Sequence, residues 1–208
     1  MDPELDLLSR VQNRGAMVQQ KRRLKGHEKA VTHLAFGVEN DLLYSCGEDA
    51  VVRAWSLSSG ATKCDFMFEG HDSPVNACAL DEEQRLLFTA SNDGTARAWD
   101  AKRGKELLSF TGHEDSVMTV QASHGVLYTA SSDTTVRAWD ANTGDQMIVF
   151  RGHESSVRSL TVAEGVLYSC SWDNNAVAWD ARSGQELARY HVRRPVTAAL
   201  VRECIFEG

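Results

Sequence analysis

The chain has 208 residues, of which 42% are hydrophobic and 25% are charged, and its formal net charge is -7. This composition is typical of one or two folded domains, and the acidic balance argues against general binding to the nucleic-acid backbone. No apolar run approaches the roughly 18 residues of a membrane-spanning helix. The five cysteines form no CxxC pair and no secretory signal is recognisable, so we expect a protein of a reducing compartment, the cytoplasm.

Residues 1–15 are expected to form an N-terminal segment that contains a short helix. Pro3 stands near a possible helix start, and Leu5, Leu8 and Val11 would share one face of that helix. The helix would either bind a partner or be a short terminal helix that packs on the rest of the fold or frays, and we favour the second interpretation because it is typical of chain termini.

Residues 16–25 resemble the outermost strand of a sheet and carry the basic residues Lys21, Arg22, Arg23 and Lys25. Such a run occurs in nuclear localisation signals, which would place the protein in the nucleus. It also protects an exposed strand edge from pairing with other chains. We favour the protective interpretation.

One stretch of sequence recurs four times along the rest of the chain. "LLYSCGEDAVVRAWS" (42–56) is repeated as "LLFTASNDGTARAWD" (86–100), "VLYTASSDTTVRAWD" (126–140) and "VLYSCSWDNNAVAWD" (166–180). A Gly-His pair precedes each copy, and a glycine follows each tryptophan five residues later. The repeated unit is therefore a module of 40 to 44 residues.

Each unit contains four short runs that favour β-strands. In the third unit they are 116–122, 125–131, 135–140 and 146–150, and turn residues separate them. A small antiparallel sheet cannot bury both of its faces alone, whereas copies stacked radially bury them against each other. The pattern therefore predicts an all-β fold, a β-propeller.

The period, the opening Gly-His and the closing Trp-Asp resemble the WD-repeat family over about residues 16–208. The resemblance implies four complete four-stranded blades, at about residues 26–69, 70–111, 112–151 and 152–190. An incomplete fifth blade would combine residues 191–208 with 16–25 as its outer strand. Because related propellers usually have seven blades, we expect an open or truncated ring that self-associates through its ends.

In similar propellers, a His, a Ser or Thr, an Asp and a Trp from each repeat form a hydrogen-bonded tetrad. The resemblance implies these tetrads here: His27, Ser45, Asp49 and Trp55; His71, Thr89, Asp93 and Trp99; His113, Thr129, Asp133 and Trp139; His153, Ser169, Asp173 and Trp179. Ser, His and Asp also form hydrolase triads, but catalysis needs one singular nucleophile and here four copies are alike. We therefore expect a structural role.

Ligands of this family often meet the face that carries the loops before the first strands. The residues three and five after each His, and the one before each Asp, should point there: Ala30, Thr32, Glu48, Pro74, Asn76, Asn92, Ser116, Met118, Ser132, Ser156, Arg158 and Trp172. Trp172 replaces small or polar residues, and a Trp beside Arg158 is typical of an interaction hot spot. With Met118, Arg193 and Arg194, we expect a patch for an acidic or phosphorylated protein segment.

The sequence indicates a non-catalytic scaffold that binds other proteins and needs no cofactor or metal. No single catalytic cluster stands apart from the repeats, and no His or Cys group has metal-ligand spacing. The alternative is a substrate receptor of a cullin-RING ubiquitin ligase, since residues 87–102 and 167–182 resemble the adaptor-docking box that ends W-D-x-R/K. Membrane and nucleic-acid partners are not expected.

Overall fold

The computed structural model describes residues 5–13, 16–37, 41–57, 64–81 and 83–191, and every regular element in these ranges is a β-strand. Two strands come first, β1 (Leu5–Asn13) and β2 (Ala16–Leu24). Blade 1 then contains β3 (Val31–Gly37), β4 (Leu42–Gly47), β5 (Val52–Ser56) and β6 (Phe66–Phe68). Blade 2 contains β7 (Val75–Asp81), β8 (Leu86–Ser91), β9 (Ala96–Asp100) and β10 (Glu106–Phe110).

The last two blades repeat this arrangement. Blade 3 contains β11 (Val117–Ser123), β12 (Val126–Ser131), β13 (Val136–Asp140) and β14 (Gln146–Phe150). Blade 4 contains β15 (Val157–Ala163), β16 (Val166–Ser171), β17 (Asn175–Asp180) and β18 (Glu186–His191). Each blade is an antiparallel sheet whose strands pair in chain order. The predicted all-β fold with four four-stranded blades is therefore confirmed.

The prediction of an N-terminal helix is wrong. Residues Leu5–Asn13 are a strand that pairs antiparallel with Ala16–Leu24 along its whole length. A helix this short is marginal in water, whereas a neighbouring strand satisfies the backbone groups of the segment. Within the described residues β2 pairs with β1, and the expected fifth blade at 191–208 lies beyond them except for His191.

The hydrophobic core lies between the blades rather than inside any one of them. Between blades 1 and 2, for example, Tyr44, Ala54 and Phe68 pack against Val75 and Trp99. Equivalent clusters lie between blades 2 and 3 and between blades 3 and 4. Each blade is therefore stabilised by its neighbours, as the stacking argument predicts.

Within the described ranges no further blade covers the outward faces of blades 1 and 4, although Leu24 of β2 packs against Leu43 and Trp55 of blade 1. Leu34 of blade 1 is 40% exposed, although its counterparts Cys78, Val120 and Leu160 are buried. Tyr190 of blade 4 is 50% exposed at a position where the other blades bury a phenylalanine. The sheets therefore form an open arc, as expected from the sequence.

Candidate functional site

The predicted tetrad residues are hydrogen-bonded to one another in all four blades. In blade 3, the Trp139 indole N–H donates to Thr129 Oγ1 (2.8 Å), which lies 2.8 Å from His113 Nε2, and His113 Nδ1 lies 2.7 Å from Asp133 Oδ2. Since the hydroxyl accepts from the indole, its own hydrogen can donate to Nε2, and Nδ1–H then donates to the carboxylate. The other three blades have the same chain of contacts.

The tetrad aspartate also holds the turn between the second and third strands. Asp133 Oδ1 accepts from the backbone N–H and the hydroxyl of Thr135, and Oδ2 accepts from the backbone N–H of Glu114. Thr134, between the two bonded residues, has a φ of 72°, which a non-glycine residue adopts only when its surroundings hold it there. One carboxylate therefore ties the loop before the blade to a strained turn.

Hydrogen bonding keeps these aspartates ionised although they are partly buried. Burial alone would raise the pKa of Asp93, but hydrogen bonds from His71 and Thr95 outweigh it and hold that pKa well below its ordinary value. The same balance lowers the pKa of Asp49, Asp133 and Asp173. Burial lowers the pKa of His153 and outweighs its contact with Asp173, which favours the neutral imidazole that the tetrad requires.

In blades 1 to 3 an arginine on the third strand lies beside the tetrad, whereas in blade 4 an arginine on the fourth strand takes its place. Arg97 and Arg137 lie on the third strands of their blades and bind Glu106 (2.7 Å) and Gln146 (2.5 Å) of the fourth strands. Blade 4 has Val177 at this position, and Val177 pairs across the sheet with Arg189. The Arg189 guanidinium donates to Gly152 O (3.1 Å) and to Glu186 (2.6 Å), so it occupies the space that the third-strand arginine fills elsewhere.

Several of the twelve positions predicted to share one face contact the neighbouring blade. This loop face consists of the loops before the first strands and the turns that hold the tetrad aspartates. Across it, Thr32 donates to Val75 O, Asn76 donates to Val117 O (2.7 Å), and the hydroxyls of Ser132 and Ser156 lie 3.0 Å apart. Polar side chains therefore join neighbouring blades along the whole described face.

Three of the five predicted partner-binding residues form a contiguous patch on the loop face. Trp172 is 55% exposed, and Arg158 Cζ lies 4.5 Å from the centroid of its ring system. Arg158 Nη1 lies 3.4 Å from Met118 Sδ of the preceding blade. We call Met118, Arg158 and Trp172 the stacked patch. Arg193 and Arg194 lie outside the described residues.

The guanidinium of the stacked patch has no carboxylate within ion-pair distance among the described residues. Stacking on the indole fixes its plane, and its N–H groups can reach a carboxylate or a phosphate from outside. Exposed acidic residues follow all four tetrad histidines on the same face: Glu28, Asp72, Glu114 and Glu154. Arg158 thus lies on a face where every blade carries an exposed acidic residue.

Two other features, a metal cluster and a membrane-spanning helix, are absent from the described residues. No group of three or more His, Cys, Asp or Glu side chains within those ranges is arranged to hold a metal ion. Nor do those ranges contain a helix with the length and apolar character needed to cross a membrane.

Two family models match the chain, and both align with the blades described above. The model "Outer membrane protein assembly factor BamB" matches residues 48–203, which is most of the chain, and the model "WD domain, G-beta repeat" matches residues 18–56. Because the first match spans blades 2 to 4 and the second covers most of β2 and three strands of blade 1, the chain belongs to the repeat-built β-propellers. The tetrad found in every described blade and the second match define its place within them: the chain belongs to the WD-repeat family.

A solved propeller shows the same fold. The chain is similar to the crystal structure of the WD40 beta propeller domain of Doa1, with a TM-score of 0.79 and 23% sequence identity. The alignment covers 93% of this chain and 64% of that chain, so this chain spans less than two thirds of the Doa1 structure. WD-repeat propellers generally act as non-catalytic scaffolds that bind other proteins.

Proposed function

We propose that this protein is a non-catalytic scaffold that binds partner proteins through its loop face, with the stacked patch as the centre of the contact. The observation that carries this proposal is Trp172, a 55% exposed indole held against Arg158 at 4.5 Å. An exposed tryptophan next to an arginine combines the two residue types most enriched at interaction hot spots. The packing of the blade does not require the indole, because blade 3 has Ser132 at the same position.

The partner segment carries a carboxylate or a phosphate that reaches Arg158. The guanidinium can make a bidentate contact with such a group, while the indole and Met118 supply apolar area beside it. The acidic residues that surround the patch repel a broadly acidic partner, so the attraction acts over a short range. The patch therefore favours a short segment with one well-placed anion.

The experiment compares the wild type with variants that take their residues from other blades. Trp172→Ser introduces the residue of blade 3, and Arg158→Met introduces the residue found there as Met118, so both variants should fold. Partners captured by the wild type are identified, and their binding is then measured with purified proteins. We expect Trp172→Ser to weaken binding by about 2 kcal/mol or more, roughly 30-fold, and Arg158→Met to reduce the dependence on salt.

A control on the opposite end of the blades separates the loop face from the rest of the surface. Lys102 is exposed in the turn after β9, and Lys102→Glu should bind partners like the wild type. If Trp172→Ser and Arg158→Met bind normally and Lys102→Glu does not, the partner contacts the other end and the proposal is wrong.

The second candidate is a substrate receptor of a cullin-RING ubiquitin ligase. Lys102 and Arg182 end the two segments that resemble a docking box, and both are exposed. A receptor would co-purify with a ligase adaptor, and Lys102→Ala together with Arg182→Ala would abolish that association. Binding of varied partners without the adaptor supports the scaffold alone.

A further inference from the structure

A cavity of about 580 Å³ lies between blades 3 and 4, at the opposite end of the strands from the loop face. Its apolar wall includes Ile148 of blade 3 and Val162 of blade 4, and Tyr128 lines it from blade 3. Arg182 and Glu164 lie at its edge. Neither the tetrads nor the stacked patch uses any of these residues.

The corresponding positions between blades 1 and 2 carry a larger side chain and a hydroxyl that is hydrogen-bonded to the next blade. Phe66 takes the place of Ile148 there, because each pairs with the equivalent alanine of the third strand, and its ring lies 5.5 Å from that of Phe68. The hydroxyl of Tyr44, the counterpart of Tyr128, donates to Ala101 O of the next blade (3.1 Å). Two differences between copies of one repeat thus distinguish the interface between blades 3 and 4.

Tyr128 has a hydroxyl that makes no hydrogen bond within the part of the chain that the structure describes. The residue is only 5% exposed, and burial raises its pKa. The hydroxyl itself is not sealed from solvent, so at the cavity wall it can donate a hydrogen bond to a molecule that enters.

We propose that this cavity binds a small neutral molecule with an apolar body and one oxygen that accepts a hydrogen bond from Tyr128. The volume lies in the range of about 300 to 1,000 Å³ that is typical of small-molecule sites. Apolar side chains, aliphatic residues together with Met147, form just over half of the lining, which suits an apolar body. The edge carries one charge of each sign, so neither an anion nor a cation is favoured.

The experiment uses two probes, acetophenone and ethylbenzene, which differ in that acetophenone has a carbonyl group where ethylbenzene has a methylene group. Their dissociation constants are measured by NMR titration of the full chain. Acetophenone should saturate the wild type, and Tyr128→Phe should weaken its binding about three- to tenfold because one hydrogen bond is lost. Ethylbenzene lacks the oxygen, so Tyr128→Phe should leave its affinity unchanged.

A second variant places a larger side chain in the cavity, using the residue that blade 1 has at the same position. Ile148→Phe introduces the residue of blade 1, where Phe66 packs beside Gly104 as Ile148 packs beside Gly184. Tyr128→Phe likewise introduces the residue that blade 2 has as Phe88. Both variants should unfold near the wild-type temperature, and Ile148→Phe should change the affinity of both probes, because its larger ring occupies part of the cavity.

Three results would overturn the proposal. One is the absence of saturable binding of acetophenone to the wild type, which would mean that the cavity holds only water. Another is equal affinity of acetophenone for the wild type and Ile148→Phe, because the probe would then lie elsewhere. The third is that neither probe binds and that Ile148→Phe captures partner proteins more weakly than the wild type. The cavity would then be the binding site of a protein partner.

Discussion

Asp133→Ala tests whether the repeated tetrads hold the fold together. The carboxylate accepts four hydrogen bonds, from the His113 ring (2.7 Å), the Glu114 backbone (3.1 Å), and the backbone (2.9 Å) and hydroxyl (2.7 Å) of Thr135. The side chains of Asp133 and His113 are 7% and 1% exposed. Water can therefore reach Glu114, which is exposed, but it cannot reach the His113 ring nitrogen without a local rearrangement.

The expected loss of stability follows from the donors that stay buried. The His113 ring N–H and the Thr135 backbone N–H would each lose their acceptor, at about 1 to 3 kcal/mol apiece. We therefore expect the free energy of unfolding to fall by about 3 to 4 kcal/mol. For a chain of this size that lowers the thermal midpoint by roughly 6 to 15 °C.

Circular dichroism during heating at neutral pH measures this change. Asp145→Ala is the matched control, because it removes the same charge from an exposed residue whose carboxylate, among the described residues, accepts only from Thr143. Asp133→Asn keeps one acceptor oxygen and should give an intermediate midpoint. Equal midpoints for Asp133→Ala and Asp145→Ala would refute the structural role of the tetrad.

Three further predictions concern acid, blade 4 and the outward faces. The pKa values of the tetrad aspartates and of His153 lie below their ordinary values, so the unfolded chain binds more protons in acid than the folded chain does. The thermal midpoint should therefore fall from about pH 6.5 downward, and more steeply below about pH 4. A midpoint that rises in acid would contradict this prediction. Arg189→Val should destabilise the fold by about 1 kcal/mol, and adding Val177→Arg should restore the midpoint; without rescue, the two arginines are not equivalent. Light scattering across a dilution series should show self-association that Leu34→Ser or Tyr190→Ser weakens. A wild type that is monomeric at every concentration would contradict this prediction.

The sequence was sufficient to predict the blades because the repeat constrains many positions at once. The matching segments share their apolar alternation, their turn residues and the spacing of His, Asp and Trp. Register followed from the same pattern, since a slip by one residue would move the tetrad hydroxyl to the other face of its sheet. The stacked patch could be located because equivalent positions of adjacent blades meet, as Met118 and Arg158 do.

Features outside the repeat, or dependent on packing, were not predictable in this way. The segment Leu5–Asn13 carries a spacing compatible with a helix, and only its pairing with Ala16–Leu24 made it a strand. The role of Arg189 depends on the cross-strand register with Val177, which a single strand does not reveal. The cavity beside Tyr128 depends on the side chains that two separate blades bring together.

The four copies of the repeat differ from one another at a few positions. Some of these differences are compensated within the fold, and others are not. The loss of an arginine at Val177 is compensated by Arg189 at the next strand, so the same space is filled and the blade keeps its contacts. The gain of an indole at Trp172 has no such counterpart, because the ring is largely exposed and blade 3 dispenses with it. The indole is therefore the departure that we expect a partner to cover, because covering it removes its apolar surface from water.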